Sequence, residues 1–206
     1  MIILASLISY LTGSIPTAYI FGKLLKGIDI REHGSGNVGA TNVFRVLGKK
    51  AGIAVLILDI LKGLIVVTVL ADLFQMKEIY ERSLLAACVV AGHNWTIFLQ
   101  FKGGKGIATG FGVLIGLTIK IAVIRPVLLW MIAIWILCFL ITRFVSLSSI
   151  VAATALPIVM VLTNQSFAII CLGILFCVFV VIRHRPNIKR LLAGQENRVS
   201  FFKKGK

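Results

Sequence analysis

Acidic side chains are scarce in this sequence. Seven Asp and Glu stand against 22 Lys and Arg, which gives a formal net charge of +15. In a soluble protein this imbalance would suggest a nucleic-acid partner. No stripe of basic and aromatic residues lies outside the apolar runs, so we expect no nucleic acid. The positive excess is instead typical of the cytoplasmic loops of a membrane protein, which lie near anionic lipid.

Residues that could bind a metal ion or act as nucleophiles show no arrangement that suits either role. All four cysteines lie within apolar runs and form no C-x-x-C pair, so we interpret them as small buried residues: Cys88, Cys138, Cys171 and Cys177. No cluster of His, Cys and Asp has the spacing of a metal site. No Ser–His–Asp set can be recognised either. We therefore expect no cofactor and no metal ion.

Apolar residues dominate what is present. They make up 59% of the 206 residues, whereas a soluble domain has about 45–50%. Several runs approach the roughly 20 residues that a helix needs to cross a bilayer. The composition predicts an all-α integral membrane protein with seven transmembrane helices and cytoplasmic glycine-rich loops. We expect one domain over residues 1–198 and a basic tail over 199–206.

The seven predicted spans follow the apolar runs. They lie near residues 1–22, 51–73, 83–101, 107–120, 126–142, 149–163 and 166–182. Gly13, Ser14 and Pro16 interrupt the first, so we expect a bend there. A short surface helix over 187–193 should end at Gly194. Most Lys and Arg fall in alternate connections and in the C-terminal segment, so the N-terminus is predicted outside and the C-terminus in the cytoplasm.

The most informative stretch is Gly34–Asn42, which contains glycine, hydroxyl and amide residues between two apolar spans. Glycines allow positive φ and can turn successive N–H groups inward, which makes an anion-binding nest. A flexible connector is the alternative, but it would not need Ser35, Asn37 and Thr41. The pattern G-x-G-x-x-G is formally present, yet a dinucleotide site needs a strand before it and a parallel sheet. We interpret the stretch as a phosphate cradle.

Three further features could contribute chemistry. Lys102–Gly106 is a second turn of glycine and lysine, suited to an anion or simply to a cytoplasmic boundary. His93 and His184 could transfer protons, although a hydrogen-bonded structural histidine is the commoner case. Asp59 and Lys62, spaced i, i+3 inside a span, could be a structural ion pair or could line a substrate cavity. The sequence leaves these alternatives open.

Several segments, in order along the chain, resemble one known family. They are D-I-R at 29–31, S-G-N-V-G-A-T-N at 35–42, G-H at 92–93, K-G-G-K-G-I-A-T at 102–109, S-L-x-S-I at 146–150 and H-R-x-N-I-x-R-L-L-x-G-x-E at 184–196. Together they closely resemble the bacterial acyl-phosphate:glycerol-3-phosphate acyltransferase (PlsY) family. The resemblance runs from about Gly13 to Glu196.

The resemblance implies a seven-helix enzyme of the bacterial inner membrane, and the distribution of Lys and Arg predicts that its active site faces the cytoplasm. It would transfer a fatty acyl group from acyl phosphate to the 1-hydroxyl of sn-glycerol 3-phosphate, giving lysophosphatidic acid and phosphate for phospholipid synthesis. Acyl phosphate, sn-glycerol 3-phosphate and membrane lipid are the expected partners. The upstream enzyme that forms acyl phosphate is a further candidate.

An acyl phosphate is already activated, so the enzyme mainly needs to position two anions and stabilise charge on the carbonyl oxygen. The candidate catalytic residues are Ser35, Asn37, His184 and Asn187, and the candidate substrate-binding residues are Gly36, Gly39, Thr41, Asn42, Arg45, His93, Gly103, Gly104, Lys105 and Ser149. We assign the 35–42 loop to the acyl-phosphate group and Arg45 and Lys105 to the glycerol phosphate. Ser149, His184 and Asn187 would orient the acceptor. A substrate phosphate oxygen would take the hydroxyl proton, with His184 as the side-chain alternative.

Two other classes of protein remain as alternatives. A transporter or binding protein for phosphate or an organophosphate could use the same loops, although transporters tend to carry repeats and broken helices near the midplane. A non-catalytic lipid-binding scaffold would not need two glycine loops. Release of phosphate that depends on the acceptor would distinguish the enzyme from both.

Overall fold

The computed structural model describes residues 1–199, which form helices and turns without a strand. The chain divides into two compact units, Met1–Ala122 and Val123–Lys206. The first unit contains α1 (Ile2–Ser14), α2 (Thr17–Lys26), α3 (Ala40–Val46), α4 (Lys49–Ile65), α5 (Ile79–Asn94) and α6 (Ile107–Lys120). The second contains α7 (Arg125–Thr142), α8 (Val145–Leu162), α9 (Phe167–Arg183) and α10 (Arg185–Leu192).

The apolar helices are long enough for a membrane protein. Among residues 1–199, four segments could cross a bilayer by length and composition: Ile2–Lys26, Lys49–Leu73, Ala122–Thr142 and Val145–Leu162. The pair α9 and α10, bent by 61°, could make a fifth, while α6 is a shorter apolar helix. The all-helical prediction therefore holds for the described residues, and the count of seven spans stays a prediction.

Most predicted helix positions are confirmed. The first span breaks between Ser14 and Thr17, as the Gly, Ser and Pro residues there predict. Pro126 lies in the first turn of α7, where its missing N–H removes no helical bond. The surface helix α10 is also present, and Gly194 beyond it has φ +67°. Of the basic tail predicted over 199–206, residues 200–206 lie outside the described part of the chain.

Three predicted boundaries are wrong. Helix α5 covers Ile79–Asn94 where 83–101 was expected. It starts earlier because Glu78 and Glu81 form a reciprocal capping box. It ends at Asn94, where Trp95 leaves the helical conformation with φ −129° and ψ 65°. The serines at 146–149 lie inside α8 and do not precede it. The connection over 23–50 is partly helical, because the glycine stretch leads directly into α3.

Glycines bring the helices of the first unit into close contact. Helix α1 packs on α5, and α4 packs on α6. A Cβ atom on Gly13 would lie 2.0 Å from the Val89 carbonyl oxygen, and one on Gly63 would lie 2.1 Å from that of Thr109. Small residues of this kind are what allow membrane helices to approach closely. The two helix pairs therefore hold their ends in a defined register.

A small apolar core lies beneath the glycine stretch. Its buried members come from α2, α3, α4 and the connections between them: Ala18, Ile30, Val38, Val43, Ala51, Val55 and Leu99. Val38 is the one large apolar residue of the stretch and is 6% exposed. The core therefore anchors the polar turn from below. In the second unit, α8 packs against both α7 and α9.

Candidate active site

The glycine stretch forms a tight turn that requires glycine at two positions. Gly34 has φ +63° and Gly36 has φ +69°, values that other residues rarely adopt. A Cβ atom on Gly34 would also lie 2.3 Å from Asn42 Oδ1, and one on Gly36 would lie 2.9 Å from the Arg31 carbonyl oxygen. Gly39 has an extended backbone with φ −156°. The predicted turn is therefore present, with two glycines in the left-handed region and not three.

Asn42 holds this turn from inside. Its Oδ1 accepts from the Ser35 N–H at 2.8 Å, and its Nδ2 donates to the carbonyls of His33 at 2.9 Å and Ile30 at 3.2 Å. The residue is 1% exposed. These bonds commit its side chain to the loop, which differs from the direct substrate contact expected from the sequence. That contact stays a prediction.

The outward side of the turn carries polar groups that the described residues do not satisfy. The backbone N–H groups of 37–41 have no acceptor within residues 1–199, and those of Ala40 and Thr41 are the first two of α3. The side chains of Ser35, Asn37, Thr41 and Arg45 likewise have no hydrogen-bond partner in this part of the chain. Thr41 and Arg45 are spaced i, i+4 and share one exposed helix face. Donors of this kind suit an anion.

An ion pair supports the turn at its N-terminal side. Asp29 accepts from the backbone N–H of Arg31 at 3.0 Å and from its guanidinium at 2.6 Å. The hydrogen bonds from the Arg31 side chain lower the pKa of Asp29 to about 2. The guanidinium also lies 5.5 Å from the centre of the Tyr19 ring. This cluster leads directly into the buried Ile30, so it ties the turn to the core.

The second glycine turn is built on the C-terminus of α5. The N–H groups of Gly103 and Gly104 donate to the carbonyls of Asn94 and His93 at 3.2 and 2.9 Å. They therefore satisfy carbonyls that the helix end leaves open. A Cβ atom on Gly104 would lie 2.1 Å from His93 Nε2, so no other residue fits beside that ring. Because these two N–H groups are already bonded, Gly103 and Gly104 would contribute to substrate binding only through the backbone conformation of the turn.

Helix α6 begins directly after this turn. Gly106 precedes it with φ +76°. The N–H groups of Ile107, Ala108 and Thr109 have no acceptor among residues 1–199. A helix N-terminus of this kind favours an anion, and Lys105 adds a positive charge next to it. The first turn of α6 is therefore a second candidate anion site.

A narrow cavity connects the two turns within the first unit. Its lining includes Val38 of the first turn, Gly103 and Gly104 of the second, His93 and Lys62. Its volume is about 10 Å³, roughly the space of one water molecule. The fold thus brings together segments that are far apart in the sequence.

Asp59 and Lys62 form a buried ion pair next to this cavity lining. Lys62 Nζ lies 2.7 Å from Asp59 Oδ1, and both side chains are buried. Lys62 lines the cavity directly. The structure therefore shows the ion pair, and a role of Lys62 in lining a substrate cavity stays a prediction.

The second unit holds the remaining predicted residues. His184 is buried, and its Nδ1 donates to the Val180 carbonyl at 2.8 Å, because a carbonyl can only accept. A neutral ring in this tautomer has its lone pair on Nε2. Ser149 donates to the Val145 carbonyl at 2.8 Å and accepts from Trp135 Nε1 at 3.2 Å.

Glu196 organises this group, although the sequence did not single it out as a site residue. Its carboxylate accepts from Ser146 at 2.9 Å, from Asn187 at 2.7 Å and from Arg190 at 2.7 Å. Burial raises the pKa of Glu196, but the hydrogen bonds from Arg190, Asn187 and Ser146 together outweigh it and lower that pKa. Its place in the 184–196 segment was the available signal.

Comparison with known proteins decides the family. The profile of the glycerol-3-phosphate acyltransferase family matches residues 3–194. The chain belongs to this family. The glycerol-3-phosphate acyltransferase of Carboxydothermus hydrogenoformans is 44% identical over 207 aligned positions, covering 100% of both chains. That of Endomicrobium trichonymphae is 46% identical, covering 98% of each.

Solved structures agree with this assignment. The glycerol 3-phosphate form of PlsY (YgiH), an integral membrane glycerol 3-phosphate acyltransferase, superposes with a TM-score of 0.87 at 37% identity, covering 97% of this chain and 96% of that one. Its lysophosphatidic acid form gives a TM-score of 0.84 at 36% identity, with coverage of 97% and 95%. The chain is therefore an all-α integral membrane member of the acyltransferase family. The individual roles of the site residues stay predictions.

Proposed function

We propose that this acyltransferase family member transfers a fatty acyl group from acyl phosphate to the 1-hydroxyl of sn-glycerol 3-phosphate. The family match over nearly the whole chain supports the acceptor and the reaction class. One geometric observation carries the donor assignment. Within residues 1–199, several N–H groups and polar side chains of the turn at 34–42 have no hydrogen-bond partner, and such groups suit a phosphate and a developing oxyanion. A transporter is not favoured, because relatives matching the full chain are acyltransferases.

The reaction needs little beyond positioning. The acceptor hydroxyl oxygen attacks the acyl carbonyl carbon, and the bond from that carbon to the phosphate oxygen breaks. We propose that the hydroxyl proton goes to a phosphate oxygen of a substrate, with His184 as the alternative acceptor. The products are lysophosphatidic acid and inorganic phosphate. Preorganised N–H donors stabilise the charge that builds on the carbonyl oxygen.

Residue roles follow from charge and from the neighbouring backbone N–H groups. We assign the turn around Ser35 and Asn37 to the donor phosphate. Arg45 and Lys105 are assigned to the phosphate of the acceptor, since each adds a cation beside a helix turn with open N–H groups. The assignments of Ser149, His184 and Asn187 to the acceptor rest on the family resemblance.

One assay tests the reaction. Purified protein is incubated with palmitoyl phosphate and glycerol 3-phosphate, and release of phosphate is followed. Release should require the acceptor, and glycerol should not replace it. If wild-type protein releases no phosphate above the acceptor-free rate, the proposed function is wrong.

Variants then test the acceptor assignment. Arg45→Ala and Lys105→Ala should each raise the KM for glycerol 3-phosphate by about 10-fold or more, the size expected for loss of one charged contact. Lys50→Ala is the matched control, since Lys50 is an exposed cation at the start of α4. Unchanged KM in both variants would remove these residues from the acceptor site.

We also propose that the protein resides in the bacterial inner membrane with its N-terminus outside and its active site facing the cytoplasm. The distribution of Lys and Arg supports this orientation. In a cysteine-free background, an impermeant maleimide added to intact cells should label Lys77→Cys but not Lys50→Cys. Both positions are exposed in the structure. The reverse labelling would invert the orientation.

A further inference from the structure

Four polar side chains meet in the interior of the first unit. Lys62 Nζ donates to Asp59 Oδ1 at 2.7 Å, to the Ile15 carbonyl at 2.6 Å and to Thr17 Oγ1 at 3.3 Å. Thr17 in turn donates to Asp59 Oδ1 at 2.6 Å. His93 Nδ1 lies 3.8 Å from the same carboxylate oxygen, which is too long for a hydrogen bond. All four side chains are buried.

The network joins three helices at the break in the first span. Helix α1 ends at Ser14, and Pro16 lacks the N–H that would continue the helix. Lys62 of α4 satisfies the Ile15 carbonyl at that break. On its other side the break contacts the end of α5, because Ser14 Oγ donates to the Gly92 carbonyl at 3.3 Å and Thr96 donates to the Ser14 carbonyl. Lys62 therefore ties the break to α4, while Ser14 and Thr96 tie it to the end of α5.

The same network reaches the second glycine turn through His93. The imidazole lies so close to Gly104 that an added Cβ atom would be 2.1 Å from Nε2. The Gly104 N–H also donates to the His93 carbonyl at 2.9 Å. A shift of His93 must therefore move Gly104, and Lys105 is the next residue along the chain. Lys62 and His93 border the same cavity as Gly103 and Gly104.

We propose that Lys62, together with Asp59 and Thr17, is a positioning group for the acceptor phosphate. Asp59 lies beside His93 at 3.8 Å, and His93 packs against Gly104 in the turn that carries Lys105 and precedes α6. The Asp59–Lys62 ion pair also stabilises the fold. Its hydrogen bonds to Ile15 and Thr17, which join α4 to the break in the first span, orient the turn that carries Lys105. This inference rests on the proposed function, since it concerns affinity for glycerol 3-phosphate.

The test separates positioning from general stability. Removing one partner of a buried pair leaves a buried unpaired charge, which by itself destabilises a protein. The informative variant is therefore the neutral double replacement Asp59→Asn with Lys62→Met. The control is Asp72→Asn with Arg82→Met, which removes the ion pair of the buried Arg82 and also the partly exposed pair between Asp72 and Lys120. Neither Asp72 nor Arg82 lines the cavity.

The kinetic pattern decides the outcome. We expect the Asp59/Lys62 double variant to raise the KM for glycerol 3-phosphate by about fivefold or more, with the KM for palmitoyl phosphate changed by less than about twofold. The control pair should change neither KM beyond about twofold, whatever its thermal stability. Thr17→Val, which loses the hydroxyl but leaves the pair, should raise the acceptor KM by about two- to threefold.

Several results would overturn the inference. An unchanged acceptor KM in the Asp59/Lys62 double variant would show that the pair only stabilises the fold. Equal rises in both KM values, or an equal effect of the control pair, would do the same. If the double variant does not fold, an unchanged acceptor KM in Thr17→Val decides against the proposal. A wild-type protein without acceptor-dependent phosphate release would instead refute the underlying function.

Discussion

Replacing Asn42 with alanine tests whether the turn at 34–42 works as a preformed cradle. The substitution removes three hydrogen bonds, to Ser35, His33 and Ile30, at 2.8, 2.9 and 3.2 Å. Each such bond contributes on the order of 1 kcal/mol net. Their loss removes about 3 kcal/mol of support from the turn, which corresponds to about 100-fold if the turn is marginally ordered. We therefore expect kcat/KM for palmitoyl phosphate to fall by up to about this factor.

Asn42→Asp refines the test. A carboxylate keeps the acceptor for the Ser35 N–H but places an oxygen against the carbonyls of His33 and Ile30, where the amide donated. It also adds a negative charge next to the proposed phosphate site. Its activity should therefore fall further than that of Asn42→Ala, although it removes fewer atoms.

The assay is acceptor-dependent phosphate release at varied palmitoyl phosphate, with thermal unfolding measured in the same detergent. Asn197→Ala is the matched control, because Asn197 is exposed and its side chain makes no hydrogen bond within residues 1–199. Asn42→Ala with wild-type kcat/KM would show that the turn does not need this residue. The idea of a preformed cradle would then be wrong.

Three further predictions follow from other contacts. Gly104→Ala should lower thermal stability and activity, because its Cβ would lie 2.1 Å from His93 Nε2. Adding His93→Ala should restore part of the stability, and a double variant no more stable than Gly104→Ala would refute the steric explanation. Since Arg31 lowers the pKa of Asp29 to about 2, this pair should stabilise the fold above about pH 4 and lose that contribution as pH falls towards 2. The midpoint of thermal unfolding should therefore fall over this pH range less steeply in Arg31→Ala than in the wild type, and an identical pH profile in the variant would contradict the prediction. Glu196→Ala should destabilise the protein by about 1–3 kcal/mol, because Asn187 and Arg190 lose their charged acceptor; an unchanged midpoint of thermal unfolding would contradict this role.

Local patterns in the sequence were sufficient for much of the fold. The break near Pro16, the start of α7 at Pro126 and the turn at Gly34 and Gly36 each depend on the backbone preferences of a few adjacent residues. The predicted start of α5 was wrong because the capping glutamates at 78 and 81 begin the helix inside the charged connection. Apolar residues continue past Asn94, so hydropathy alone extends the helix.

The candidate site, like the fold, was predictable from the sequence only in part. The residue types at 35–42 and 102–106 indicated anion binding, because glycine, hydroxyl and lysine groups supply that chemistry wherever the chain goes. They could not indicate that Asn42 turns inward, nor that the N–H groups of Gly103 and Gly104 are used by the end of α5. Those bonds depend on which carbonyls lie nearby in space.

What the sequence determined by itself is therefore the class of molecule, the order of its polar segments and the chemistry they carry. The tertiary structure alone decided that Lys62 bonds to the Ile15 carbonyl and that His93 packs on Gly104. The physical reason is the close packing of α1 on α5 and of α4 on α6. Glycine contacts at those interfaces bring together residues that are tens of positions apart, and no local pattern encodes that proximity.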